Sequence, residues 1–206
     1  MAKLTEMVFI LDRSGSMGGL ESDTIGGYNS LLEKQKREEG EALVTTVLFD
    51  DRVEIIHDRV DIKAVSPLTD REYYVRGCTA LLDAIGDAIH HIDSVHRGGN
   101  PAETPQHTLF FITTDGLENA SRRYSGSQVR QMIRRQEELG WEFLFVAANI
   151  DAAETAERIG IRKERAANYR QDSAGTKQLF ESLGEVACSV RRKGAVSADW
   201  AKGLEK

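Results

Sequence analysis

The chain has 206 residues, enough for one ample domain and short for two. Forty per cent of the residues are apolar, 29% are charged and the formal net charge is −6. That is globular composition, and it argues against both a disordered chain and the basic footprint of a nucleic-acid binder. Two cysteines, Cys78 and Cys188, exclude a disulfide framework and a four-thiolate zinc site.

The first residues lead straight into a short apolar run, Met7 to Leu11, too short for a signal-peptide core. No apolar stretch approaches the roughly 18–20 residues that span a bilayer, so a soluble, cytoplasmic protein without membrane contact is expected. Met7 to Asp12 is a continuous apolar run ending on an acid, the pattern of a strand buried on both faces. A turn-rich loop, Arg13 to Gly19, follows. Ser22 or Asp23 is placed to cap a helix carrying Ile25, Tyr28, Leu31 and Leu32, and Lys34 to Gly40 reads as a solvated stretch closed by glycine. Leu43–Phe49 and Val53–Val60 read as strands. Their connection through Asp50-Asp51 is too short for a parallel crossover, so an antiparallel hairpin is expected.

Ala80 to Val95 has the 3.6-residue apolar period of a helix, and the Gly98–Pro105 loop follows it. Leu109 to Asp115 repeats the design of the first strand. Ser125 or Ser127 can cap a helix with Val129, Met132, Ile133, Gln136 and Leu139 at helical spacing. Trp141–Ala148 is a strand, Ala152–Ile159 a short helix, Ala166–Tyr169 a last strand, and Leu179 to Val190 lie on a final helix. The alternation predicts an α/β fold: a doubly wound open sheet, mostly parallel with one antiparallel edge strand, and helices on both faces. The domain is expected over residues 1–193, with a tail at 194–206 whose Trp200 either docks on the domain or anchors a partner.

Ligands of such sheets bind outside the carboxyl ends of the strands, where Asp12 and Asp115 both fall. In Asp12-Arg13-Ser14-Gly15-Ser16 the carboxylate and both hydroxyls occupy alternate positions, which point the same way in an extended segment. Thr79, just ahead of a long helix, can add a third hydroxyl. This all-oxygen set suits a hard cation that keeps several waters and one open position, which a partner's carboxylate can fill. By chance, Asp-x-Ser-x-Ser occurs in about one chain in twenty of this length, so its place after a buried strand and its company matter more than the motif alone.

Asp12-x-Ser14-x-Ser16, Cys78-Thr79-Ala80-Leu81 and Thr114-Asp115-Gly116, in that order, resemble the metal-ion-dependent adhesion site of von Willebrand factor A (VWA) domains. The resemblance covers roughly residues 5–190, and Asp115 to Ser121 is similar to a form common in stand-alone bacterial VWA proteins. It implies a non-enzymatic, metal-dependent protein-binding module. Ser14, Ser16 and Thr79 would give hydroxyl oxygens to Mg2+ (Mn2+ and Ca2+ are alternatives), with Asp12 and Asp115 acting directly or through water. A partner protein's Asp or Glu would complete the shell. Cys78 stands where the family often has glycine, and is expected to be a small buried neighbour rather than a ligand.

Other readings are weaker. A haloacid dehalogenase-type phosphatase needs a second acid two positions after the first, where Ser14 stands. Neither a Gly-x-Ser-x-Gly elbow nor a phosphate-binding glycine loop is present. A scaffold with a purely structural metal is a further alternative. His90, His91 and His96 lack the i, i+4 spacing of a helical zinc pair. The arginine clusters at 122–123, 134–135 and 191–193 are expected on solvated faces. Glu118, Asn119 and Ser121 either reach the rim of the site or serve loop and helix-cap chemistry.

Overall fold

The computed structural model describes residues 4–100 and 104–204. Pro101, in the predicted 98–105 loop, lies outside them, as do residues 1–3 and the last two of the predicted tail. Six strands and five helices alternate among the described residues. The strands are β1 (Thr5–Asp12), β2 (Ala42–Phe49), β3 (Val53–Asp61), β4 (His107–Thr114), β5 (Glu142–Ala147) and β6 (Ala166–Asn168). The helices are α1 (Glu21–Lys36), α2 (Leu81–Gly98), α3 (Gly126–Glu138), α4 (Ala152–Arg158) and α5 (Ser173–Lys193).

The sheet order is β3-β2-β1-β4-β5-β6. Every pair is parallel except the β2–β3 hairpin, so the antiparallel strand is an edge, as its short connection requires. Helices cover both faces, which is why the central strands are continuously apolar. Alternate residues separate into two cores. Phe9, Leu11, Phe111 and Val146 pack with α1 and α5, while Val8, Ile10, Phe110 and Phe145 pack with α2, α3 and α4. Among the described residues, no helix is long and apolar enough to cross a membrane.

Several local expectations are corrected. Neither Ser22 nor Asp23 caps α1. The buried Leu20 holds the N-cap position without a side-chain bond, so the helix starts earlier, with Glu21 and Asp23 in its first turn. Ser125, not Ser127, caps α3, through a capping box with Gln128. Leu139 is 65% exposed because α3 ends one residue before it. The stretch after Lys34 is not wholly solvated, and the 191–193 cluster is not wholly a solvated face. Gln35 and Arg191 are both buried. Arg191 donates to the Gln35 carbonyl at 2.6 Å and the Gly40 carbonyl at 2.9 Å, tying the end of α1 and the turn after it to α5.

Val196, Trp200 and Leu204, beyond α5, join the core on the α1/α5 face. The Trp200 indole N–H donates to the Glu164 carbonyl at 2.9 Å. Trp200 is therefore docked on the domain.

Candidate metal centre

β1 and β4 are neighbours, yet the chain leaves β1 toward one side of the sheet and β4 toward the other. This reversal opens a crevice at the carboxyl ends of the two strands. Asp12 is the last residue of β1, and Asp115 directly follows β4. The register, with Leu11 opposite Thr113, sets Asp12 beside Thr114, whose hydroxyl donates to Asp12 Oδ2 at 2.6 Å. The Ser14 N–H donates to Asp12 Oδ1 at 2.7 Å, the local turn an aspartate favours. That turn brings Ser14 Oγ within 3.1 Å of Ser16 Oγ, and Ser16 Oγ donates to Asp115 Oδ1 at 2.6 Å. Four of the five predicted residues thus form one hydrogen-bonded cluster.

Thr79, the fifth, is buried, and its backbone is fixed to Asn119 rather than to the cluster. Its N–H donates to Asn119 Oδ1 at 2.9 Å, and its carbonyl accepts from the Asn119 N–H at 3.0 Å. The Gly15 N–H bonds the Gly77 carbonyl at 3.2 Å, joining the Thr79 loop to the Asp12 loop. Gly77 has φ +64°, a left-handed conformation that favours glycine in the turn ahead of Thr79.

The segment after Asp115 performs helix-cap chemistry, on another element. Glu118 accepts from the Leu82 N–H, Ser121 Oγ from the Asp83 N–H. These are orphan donors of the first turn of α2, which has no side-chain cap of its own. Asp83 reciprocates, accepting from the N–H groups of Arg122, Arg123 and Tyr124. The Thr79 and Asp115 loops are consequently one interlocked unit.

Two groups of residues escape a local reading of the sequence. Arg13, the unspecified position of the first motif, is 1% exposed. Its guanidinium donates to Asp50 Oδ2 at 2.8 Å, Glu54 Oε2 at 2.8 Å and the Glu72 carbonyl at 2.9 Å. It thereby pins the loop to the β2–β3 hairpin. Gln171, ahead of α5, donates to Asp115 Oδ2 at 2.6 Å and to the Ser16 carbonyl at 2.9 Å, and accepts from Asn149 at 2.5 Å. A basic residue inside the motif loop and an acid directly after β2 are the only sequence signals for the Arg13–Asp50 pair; Gln171 and Asn149 carry none. Cys78 is exposed, not buried as expected, because the αL turn at Gly77 directs the loop outward before Thr79 returns to the interior.

The electrostatics of the acids divide sharply. Burial raises Asp50, but hydrogen bonds from Arg76, the Arg52 N–H and Arg13 outweigh it and hold the carboxyl below its ordinary range. Asp12 and Asp115, each 1% exposed, have only neutral donors. Burial pushes Asp12 up against the hydrogen bonds of Ser14 and Thr114, and the neighbouring Asp115 charge adds to the rise. Burial pushes Asp115 up against those of Ser16 and Gln171. Two buried carboxylates side by side without a cationic side chain are a deficit of positive charge, and buried charges ordinarily pair or bind metal.

The donors fit a small hard cation. Octahedral ligands at about 2.1 Å lie about 3.0 Å from their neighbours, close to the Ser14–Ser16 separation. No three of His, Cys, Asp and Glu gather to hold a metal among the described residues, so the donors brought together here are two carboxylates and hydroxyls.

No family model matches the sequence, and no curated protein matches it. Solved structures do. The von Willebrand factor (vWF) domain of the type V pili tip protein Mfa5 from Porphyromonas gingivalis aligns over 96% of this chain and 99% of its own, with TM-score 0.66 and 10% identity. Proximal thread matrix protein 1 from the mussel byssus, with its metal-ion-dependent adhesion site occupied by zinc, aligns over 91% of this chain with TM-score 0.60 and 15% identity. The chain spans about half of that protein, 46%. Manganese-loaded TRAP protein from Plasmodium vivax aligns over 87% of this chain and 73% of its own, with TM-score 0.57 and 13% identity. The fold is therefore the VWA fold.

Proposed function

We propose that the chain is a metal-dependent protein-binding module. Ser14, Ser16 and Thr79 would hold Mg2+ with their hydroxyls, and Asp12 and Asp115 would balance its charge and orient hydroxyls and waters. The bound cation supplies a Lewis-acidic position for one outside oxygen, which an Asp or Glu of a partner protein would fill. The observation that carries this reading is the pair of buried carboxylates with no basic side chain, Asp12 bonded to the Ser14 N–H and Asp115 to the Ser16 hydroxyl, with the two serine hydroxyls at ligand-edge spacing. Two proteins of the same fold bind divalent ions, zinc in the mussel protein and manganese in TRAP, which supports a divalent cation in general.

The chain's own residues prepare the site. Thr114 and the Ser14 backbone fix the Asp12 carboxylate, the Arg13–Asp50 pair anchors the loop from behind, and the 118–121 segment locks Thr79 against α2.

The test uses Mn2+ as a paramagnetic probe of bound water and acetate as a minimal carboxylate. Wild type should enhance water-proton relaxation, acetate should reduce that enhancement, and Asp12→Ala should show none. Equal enhancement in Asp12→Ala would remove Asp12 from the site. Enhancement indifferent to acetate would favour a structural metal.

A further inference from the structure

We infer that Gln171 determines which divalent cation the site accepts, by occupying Asp115 Oδ2 so that Asp115 presents one oxygen, not two, beside the serine hydroxyls. The inference rests on the metal-binding reading above. Asp115 Oδ1 lies at Ser16 Oγ, while Oδ2 is held by Gln171 Nε2 at 2.6 Å. Asp12 is similarly engaged at both oxygens, by the Ser14 N–H and the Thr114 hydroxyl. Neither carboxylate offers a free pair of oxygens. Ca2+ takes six to eight oxygens and commonly draws carboxylates in bidentate fashion. Mg2+ requires a near-octahedral shell, is satisfied by single carboxylate oxygens and retains waters. A site in which neither acid has both oxygens free for one cation therefore favours Mg2+ or Mn2+ over Ca2+.

The restraint is built from several directions. The Gln171 amide nitrogen has two hydrogens and two acceptors, Asp115 Oδ2 and the Ser16 carbonyl. Its amide oxygen accepts from Asn149, whose left-handed backbone, φ +57°, is one that asparagine tolerates. Exchanging the amide's oxygen and nitrogen would set an oxygen against the Asp115 carboxylate, so one orientation satisfies all three contacts. The next residue, Asp172, caps α5 by accepting from the Gly175 N–H at 2.7 Å, which anchors the backbone that carries Gln171.

The experiment is separate calorimetric titration of the full chain with Mg2+ and with Ca2+, for wild type, Gln171→Leu and Asn149→Ala, with thermal unfolding to verify folding. Wild type should bind Mg2+ more tightly than Ca2+. Gln171→Leu, which frees Oδ2, should raise the ratio of Ca2+ to Mg2+ affinity by about tenfold, the scale on which residues behind the ligands tune a metal site. Asn149→Ala should move the ratio in the same direction by less, and carries the test if Gln171→Leu does not fold. A purely structural role would lower both affinities together and leave the ratio fixed; that result, or no change in either affinity, overturns the inference alone. A wild type that binds neither cation overturns the metal-binding reading and this inference with it.

Discussion

Arg13 shows how much a single side chain contributes to this site without facing it. A buried guanidinium is costly unless paired and fully hydrogen-bonded. Here it has two acids and a carbonyl, and lies 5.4 Å from the Tyr74 ring centroid. Its neighbours in sequence, Asp12 and Ser14, point to the crevice while Arg13 points behind it, so the alternation that aligns the motif oxygens also sends Arg13 the opposite way. Arg13→Met leaves Asp50 with Arg76 but abandons the Glu72 carbonyl and Glu54. It should cost about 1–3 kcal/mol, the range for leaving a buried acceptor unsatisfied, as measured by urea unfolding. The motif residues themselves were legible in the sequence, since their spacing is local. Arg13's partners lie 37, 41 and 59 positions away, and local spacing carries no information about them.

Between elements, the interlock of α2 with the segment after β4 depends on the charge of Asp83 and so on pH. Burial pushes Asp83 up, but the N–H groups of Arg122, Arg123 and Tyr124 outweigh it and hold the carboxyl below its ordinary range. A carboxylate depressed in the folded state adds stability above its unfolded pKa of about 3.9, and that contribution is lost as pH falls through the folded value. Asp83→Asn should therefore cost about 1–3 kcal/mol at neutral pH, the scale of hydrogen bonds to a charged group. The gap to wild type should close below pH 4, as followed by chemical unfolding across pH. A gap constant down to pH 2 would show that the charge is not what Asp83 contributes. Glu118, Asn119 and Ser121 were open between rim and cap in the sequence because a loop that caps a distant helix lacks the contiguous signature of an ordinary capping box. The strands and long helices were legible, since their periods are set by which faces they bury; the first turn of α1 was not, because an apolar residue, Leu20, anchors it instead of a capping side chain.

Across the whole molecule, the order β3-β2-β1-β4-β5-β6 is what makes the site, since it sets β1 beside β4 and two acids from residues 103 positions apart into one crevice. The continuous apolar runs predicted such a sheet, and the short hairpin placed its antiparallel edge. Composition did not reveal how the end of the chain is used. Trp200 is 7% exposed and joins the α1/α5 core, its indole N–H bonded to the carbonyl of Glu164, 36 positions earlier. Trp200→Ala should lower stability by about 3–5 kcal/mol, the range for emptying a buried tryptophan site, with cation affinity unchanged. Calorimetric unfolding alongside Mg2+ titration checks both halves of that expectation.

Within a net charge of −6, two of the acids, Asp12 and Asp115, sit buried without a counter-charge, and the proposed function turns on them. The most direct measurement is isothermal titration of Mg2+ into wild type and Asp12→Ala, with circular dichroism to verify that both are folded. Saturable one-site binding by wild type and none by a folded Asp12→Ala is the expected result. Equal binding by the two proteins, or none by wild type, would mean that the Asp12–Asp115 crevice is not a metal site.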